Sequence, residues 1–139
     1  MESKHLIVYA DDDIDDLNMF QDYFDSNGTI KILPASDGLD ALEILEQLKT
    51  KGLKPCLVIL DINMPLLNGK ETLLRIKSDK ELQQIPIVLF STSKNPDDKT
   101  FASSYGVDFI SKPLSVKEIE LIASMFIDRC NFEINNLSA

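Results

Sequence analysis

The sequence lacks any long hydrophobic run. A helix that crosses a bilayer needs roughly 20 apolar residues, and no stretch of the chain approaches that length. The apolar stretch after the polar residues 1–5 is also shorter than the core of a secretory signal. We therefore expect a cytoplasmic protein that has no membrane partner.

Cysteine is scarce as well, and the two thiols, Cys56 and Cys130, lie far apart in the chain. They do not have the spacing of metal ligands. We expect both to be reduced, structural thiols, as is usual in cytosolic proteins.

Positive charge is in the minority, with 14 Lys and Arg against 23 Asp and Glu and a formal net charge of -9. Nucleic-acid phosphates need basic partners, so we expect no nucleic-acid partner. The length of 139 residues and the apolar content of 44% predict one globular domain over residues 1–139. Its core is expected at residues 4–128, followed by a polar tail at 131–139 that frays.

The hydrophobic pattern predicts five strands that alternate with five helices. Three runs are apolar throughout and predict central strands, whereas two runs alternate and predict edge strands. The central runs are 6–10, 57–60 and 85–90, and the edge runs are 29–33 and 107–110. This alternation predicts an α/β fold with a doubly wound parallel sheet. With right-handed crossovers the favoured strand order is 2-1-3-4-5, which is that of the flavodoxin-like three-layer sandwich.

Polar side chains follow four of these strands where each strand ends. In a parallel sheet these ends share one edge, and ligands bind at the crevice between strands one and three, where the strand order reverses. The residues are Asp11 and Asp12 after the first strand, Asp61 after the third, Ser91 or Thr92 after the fourth, and Lys112 after the fifth.

This set of residue types suits phosphoryl transfer onto Asp61. Neighbouring carboxylates repel one another unless a cation intervenes, and an oxygen-only ligand set favours a hard ion such as Mg²⁺. A carboxylate can act as a nucleophile toward phosphorus. A lysine, a hydroxyl and the metal then stabilise the transferring oxygens.

Each residue also has a simpler interpretation when it is taken alone. The run Asp11–Asp13 can be a helix cap, with Asp13 as the N-cap and Asp15 and Asp16 in the first turn. Asp61 can cap a loop, and Lys112 can be an ordinary surface lysine. The functional interpretation depends on finding all of them at successive strand ends.

Four segments resemble the receiver domain of two-component response regulators: 6–13, 58–65 with Gly69, 86–91 and 106–113. The resemblance covers nearly the whole chain and is greatest to stand-alone, CheY-like receivers. It implies that Asp61 accepts a phosphoryl group from a histidine kinase or a histidine phosphotransfer protein. It also implies that Asp12 binds Mg²⁺ directly, Asp11 mainly through water, and Asn63 through its backbone carbonyl.

The resemblance implies further roles at the other strand ends. Ser91, rather than Thr92, holds the position of the switch hydroxyl, and Lys112 binds a phosphoryl oxygen. The bond from Lys112 to Pro113 is expected to be cis, the minority state of X–Pro bonds. Phe109 holds the position of the switch aromatic, although simple packing against the last helix is the alternative. Asn63 and Ser93 hold positions that tune the lifetime of the phosphoryl group.

The resemblance as a whole implies a switch that catalyses only its own phosphorylation and dephosphorylation. It would signal to a protein effector through the face formed by the fourth helix, the fifth strand and the last helix. One alternative is a degenerate receiver used only for docking. Another is a phosphatase with an aspartate nucleophile, but such enzymes usually carry a second Asp two residues on, where this chain has Asn63. The acidic run after the first strand disfavours a flavin-binding protein, because it would repel the flavin phosphate.

Overall fold

The computed structural model describes residues 5–28, 30–113 and 115–138. Five parallel strands form one sheet in the order β2-β1-β3-β4-β5, which confirms the predicted architecture. The strands are β1 (His5–Ala10), β2 (Ile30–Ala35), β3 (Leu57–Leu60), β4 (Ile87–Ser91) and β5 (Asp108–Ser111). The helices are α1 (Ile14–Asn27), α2 (Gly38–Thr50), α3 (Gly69–Lys77), α4 (Pro96–Ser104) and α5 (Val116–Ser138).

Helices cover both faces of the sheet, so each central strand is buried on both sides. Successive side chains of a strand point to opposite faces, and the two cores divide accordingly. Val8 and Val58 belong to the core shared with α2 and α3. Ile7 and Leu57 belong to the core shared with α1 and α5. This two-sided burial explains why β1, β3 and β4 are apolar throughout.

The edge strands have the partly exposed pattern that alternation predicts. In β2 the exposed Lys31 lies between the buried Ile30 and Ile32. The strand continues through Pro34 to Ala35, two residues beyond the predicted end, and an edge strand tolerates a proline. Thr29, the predicted first residue of this strand, lies outside the described residues.

Helix α5 continues to Ser138, where the sequence predicts a fraying polar tail. Ala123, Phe126 and Cys130 are buried at helical spacing, so one face of the helix packs on the sheet at least as far as Cys130.

A disulfide joins Cys56 to Cys130, so the expectation of two reduced thiols is wrong for this structure. Cys56 directly precedes β3, and Cys130 lies on the buried face of α5. Because α5 packs on the same sheet face as this end of β3, the two Cα atoms are 5.0 Å apart despite a sequence separation of 74. The spacing of the two cysteines in the sequence could not predict that they meet in the fold.

No helix in the described part of the chain has both the length and the apolar content that a bilayer span requires.

Candidate functional site

Asp61 begins the loop after β3, at the carboxyl edge of the sheet. Its N–H donates to the carbonyl of Ala10 at 2.9 Å, which extends the pairing of β1 with β3 to this residue. The N–H of Ile62 donates to Asp61 Oδ1 at 2.8 Å. The side chain is nearly buried, and its second oxygen, Oδ2, faces Lys112 at 3.3 Å.

Gly69 holds the backbone of this loop in place at the start of α3. A Cβ atom at position 69 would lie 2.1 Å from the carbonyl oxygen of Asp61, so only a glycine fits. The N–H of Gly69 donates to the carbonyl of Ile62 at 2.9 Å. Asn68 caps α3 through a reciprocal pair of bonds with Glu71, and this fixes where the loop ends.

Asp11 is fully buried at the end of β1, beside Asp61. The hydroxyl of Tyr9 donates to Asp11 Oδ2 at 2.8 Å, and the N–H of Asp13 donates to Asp11 Oδ1 at 2.9 Å. Asp12 is exposed. Asp13 caps α1, as the sequence predicts.

Lys112 extends from the end of β5 into this cluster of carboxylates. Its Nζ lies 2.6 Å from Asp11 Oδ2, 3.0 Å from Asp16 Oδ2 and 3.3 Å from Asp61 Oδ2. The predicted lysine and two of the predicted carboxylates are therefore in contact. Sequence reasoning placed Asp16 only in the first turn of α1 and missed its contact with Lys112. Its spacing of four residues from the buried Phe20 places it on the inward face of the helix, and this signal would have found it.

The electrostatics of the cluster follow from burial. Burial, with Lys112 partly opposing it and the negative charge of Asp11 adding to it, raises the pKa of Asp61 to about 6. Burial alone would lower the pKa of Lys112, but hydrogen bonds to Asp11 and Asp16 outweigh it and raise the pKa above the usual value. Burial, and then the adjacent carboxylate of Asp11, raise the pKa of Tyr9. Lys112 is thus a cation and Tyr9 a neutral donor at neutral pH.

Asp11, Asp12 and Asp61 each present a carboxylate oxygen, and these oxygens lie within 4.8 Å of one another. Hard divalent cations such as Mg²⁺ bind through oxygen ligands and usually keep several waters. The exposed Asp12 leaves the cluster open to solvent on one side. The donor set therefore fits a hard divalent cation.

Ser91 ends β4 at the same edge and is fully buried. Its hydroxyl accepts a hydrogen bond from the N–H of Ser93 at 3.2 Å. The hydroxyl of Ser93 donates in turn to Asp98 in α4. Lys70 of α3 completes this chain of bonds, with its Nζ 2.6 Å from Asp98 Oδ1. Sequence reasoning missed both Lys70 and Asp98, because nothing in their local pattern distinguishes them from surface charges.

The other predicted residues are Asn63, Phe109 and Pro113. Asn63 is exposed in the loop after Asp61. Phe109 is half-buried on β5, and its ring centre lies 5.9 Å from Lys99 Nζ. The structure has no cis peptide bond in the described ranges, so the bond from Lys112 to Pro113 is trans and the cis prediction is wrong here. Trans is the favoured state of X–Pro bonds by about 0.5–1 kcal/mol.

The model of the response regulator receiver domain matches residues 7–124. The chain belongs to the receiver-domain family of response regulators. The resemblance seen in the sequence is thereby confirmed, and this family is the phosphorylated partner in two-component signalling.

Curated relatives include receivers and larger proteins. Response regulator Rcp1 of Synechocystis sp. is 34% identical over 86 residues, which are 60% of this chain and 58% of that protein. The polar-differentiation response regulator DivK of Brucella anthropi is 28% identical over 127 residues, with 90% of this chain and 98% of that protein covered. A protein-glutamate methylesterase/protein-glutamine glutaminase of Syntrophomonas wolfei is 36% identical over 137 residues, but the chain spans only 36% of its length.

Solved structures show the same fold. The phosphorylated cyanobacterial phytochrome response regulator RcpA matches with a TM-score of 0.80 and 29% identity, over 89% of this chain and 91% of that one. The Mn²⁺-bound form of Rcp1 matches with a TM-score of 0.73 and 26% identity, over 86% and 88% of the two chains.

Proposed function

We propose that this receiver domain is a phosphorylation switch whose Asp61 accepts a phosphoryl group from a phosphohistidine. The donor is a histidine kinase or a histidine phosphotransfer protein. The supporting observation is the position of Lys112, whose ammonium group bridges Asp11 and Asp61 beside a cluster of three carboxylates.

The two oxygens of Asp61 have different surroundings, and this suits a nucleophile. Oδ1 accepts the N–H of Ile62, which orients the carboxylate. Oδ2 attacks the phosphorus, a new O–P bond forms, and the P–N bond to the donor histidine breaks. Lys112 already lies 3.3 Å from Oδ2, so its ammonium group needs little movement to donate to a phosphoryl oxygen.

The residues that would hold Mg²⁺ are Asp11, Asp12 and Asp61, together with the backbone carbonyl of Asn63. The bound cation offsets the negative charge on the phosphoryl oxygens. The Mn²⁺-bound form of Rcp1 supports a divalent cation in this family.

The conformational response starts at Ser91 in this proposal. Its hydroxyl accepts the N–H of Ser93 at rest and turns toward the phosphoryl group after transfer, which moves the loop before α4. Phe109 then turns inward, and the face formed by α4, β5 and α5 changes. Inverting a 1:99 equilibrium requires about 5.5 kcal/mol of differential binding, so several charge-assisted bonds of about 1.5–3 kcal/mol must act together.

The wider setting of the switch is also part of the proposal. In this proposal the protein is a cytoplasmic regulator that signals to a protein effector. It binds neither nucleic acid nor membrane, and it catalyses only its own phosphorylation and dephosphorylation. Asn63 and Ser93 tune the lifetime of the phosphoryl group.

Incubation with acetyl phosphate and Mg²⁺, followed by intact-mass spectrometry, tests the proposal. Wild type is expected to gain one phosphoryl group, and Asp61→Asn is expected to gain none. The matched control is Asp25→Asn, at an exposed site late in α1, which should gain as much phosphate as wild type. Equal incorporation in Asp61→Asn and wild type would contradict the proposal. No incorporation in any of the three would favour a docking-only receiver.

A further inference from the structure

Asp16 is a fourth carboxylate at the site, and the proposed phosphoryl transfer does not use it. It lies in the first turn of α1, and its side chain is 29% exposed. Its Oδ2 accepts a hydrogen bond from Lys112 Nζ at 3.0 Å. This contact crosses from α1 to the end of β5, between residues 96 positions apart in the sequence.

The three carboxylates that surround Lys112 are not equivalent. The Lys112 ammonium group donates hydrogen bonds to Asp16 at 3.0 Å and to Asp61 at 3.3 Å, and it forms an ion pair with Asp11 at 2.6 Å. Asp61 must release Lys112 when it takes a phosphoryl group. Asp11 belongs to the cluster that fits a cation. Asp16 is outside that cluster, so its bond to Lys112 can persist both when a cation binds and when Asp61 takes a phosphoryl group.

We propose that Asp16 is a positioning residue that holds Lys112 at the phosphoacceptor while the lysine exchanges carboxylate partners for a phosphoryl oxygen. This inference rests on the proposed function. Lysine has a long, flexible stem and loses considerable side-chain entropy when it is fixed. Because Asp16 keeps its bond to Lys112 throughout, it fixes part of the lysine side chain before the phosphoryl group arrives.

Asp16 could instead affect the site only through its negative charge. That effect and the positioning of Lys112 change the affinity for an anion in opposite directions, so an affinity measurement separates them. Removing a negative charge near the site favours the binding of an anion. If Asp16 acts only through its charge, its loss should strengthen the binding of a phosphoryl mimic. If it positions Lys112, its loss should weaken that binding.

Asp15 supplies a matched control, because it lies in the same helical turn, carries the same charge and is exposed. The measurement is the affinity for beryllium fluoride at saturating Mg²⁺, in wild type, Asp16→Ala, Asp16→Asn and Asp15→Ala. We expect Asp16→Ala to bind about tenfold more weakly than Asp15→Ala, the factor that corresponds to about 1.4 kcal/mol. Asp16→Asn keeps an acceptor oxygen and should recover part of the loss.

Titration with Mg²⁺ alone gives a readout that does not depend on the phosphoryl mimic. Asp16→Ala and Asp15→Ala should agree within about twofold, because both remove one nearby charge and neither removes a ligand. Equal or tighter beryllium fluoride binding by Asp16→Ala, relative to Asp15→Ala, overturns the inference. Failure of wild type to bind beryllium fluoride overturns the proposed function as well, so the two failures are distinguishable.

The unaltered protein gives a second test in case a variant does not fold. In a crystal structure of the wild-type complex with Mg²⁺ and beryllium fluoride, Lys112 Nζ should remain bonded to Asp16. A separation beyond about 4 Å, the limit for an ion pair, would overturn the inference.

Discussion

Lys112 Nζ lies 3.3 Å from Asp61 Oδ2, although β5 and β3 are separated by β4. The lysine reaches across the end of β4, with its Nζ 6.0 Å from the ring centre of Phe90. The Lys112 ammonium group, which would bind a phosphoryl oxygen, thus already lies beside the Asp61 carboxylate. The fold brings together two charges that are 51 positions apart in the chain.

The raised pKa of Asp61 predicts an unusual pH dependence of stability in the metal-free protein. The folded state binds a proton at Asp61 up to pH of about 6, whereas the unfolded chain releases it near 3.8. The free energy of unfolding should therefore fall as the pH rises between these values. Asp61→Asn should remove this fall and be more stable than wild type above pH of about 6.

Urea unfolding at a series of pH values, with a chelator present, checks this prediction. The exposed Asp25→Asn should keep the wild-type pH dependence. Curves for wild type and Asp61→Asn that run parallel from pH 4 to 7 would show that Asp61 is not perturbed.

Gly69→Ala should damage the phosphoacceptor loop. The added Cβ would meet the carbonyl of Asp61 at 2.1 Å, so backbone must move. Overpacking of this kind typically costs about 1–3 kcal/mol, and the displaced Asp61 should also incorporate less phosphate. Gly28→Ala is the contrast, because its φ of 82° is unfavourable for alanine but nothing lies within 4 Å of the new Cβ. It should cost about 1–2 kcal/mol and leave phosphate incorporation unchanged.

The ion pair of Lys70 with Asp98 should stabilise the loop that follows β4. Hydrogen bonds from Lys70 and then Ser93 lower the pKa of the buried Asp98. The stabilisation that these hydrogen bonds give is therefore present above the ordinary aspartate pKa. It is lost as the pH falls through the lowered pKa of Asp98. Asp98→Asn should cost about 1–2 kcal/mol at pH 7 and less once the pH falls below the lowered pKa of Asp98.

A double-mutant cycle of Lys70→Met with Asp98→Asn isolates the pair. Additive losses at pH 7 would show that the two side chains do not interact. Lys77→Met, on the last turn of the same helix, is the control for removing a lysine from α3.

Reduction of the bond between Cys56 and Cys130 should lower stability markedly. The bond closes a long loop, with a sequence separation of 74, and the chain-entropy model assigns about 4 kcal/mol to a loop of this size. Unfolding with and without a reductant that breaks disulfides measures the effect. The double variant Cys56→Ala/Cys130→Ala should not respond to the reductant, and a wild type that is equally indifferent would argue against the bond.

The sequence predicts the fold and the main carboxylates because both depend on local patterns. Apolar runs mark β1, β3 and β4, and the residue at which each run stops lies at the carboxyl edge of the sheet. Contacts between remote segments do not leave such a signature. The bond of Asp16 to Lys112 joins α1 to the residue that follows β5, 96 positions later in the chain.

Two predictions are wrong: that the cysteines are reduced, and that the bond before Pro113 is cis. Cys56 and Cys130 meet because a face of α5 packs on the sheet, and their separation in the sequence gives no sign of it. The trans bond before Pro113 departs from what the family resemblance implies, and nothing in the described contacts explains the difference.

The most direct measurement is to locate the phosphoryl group on the chain. Reduction of an aspartyl phosphate with borohydride converts the residue to homoserine, which peptide mass spectrometry identifies. After incubation with acetyl phosphate and Mg²⁺, the account predicts homoserine at position 61. Homoserine at position 11 or 12 instead, or its absence from a protein that binds Mg²⁺, would contradict it.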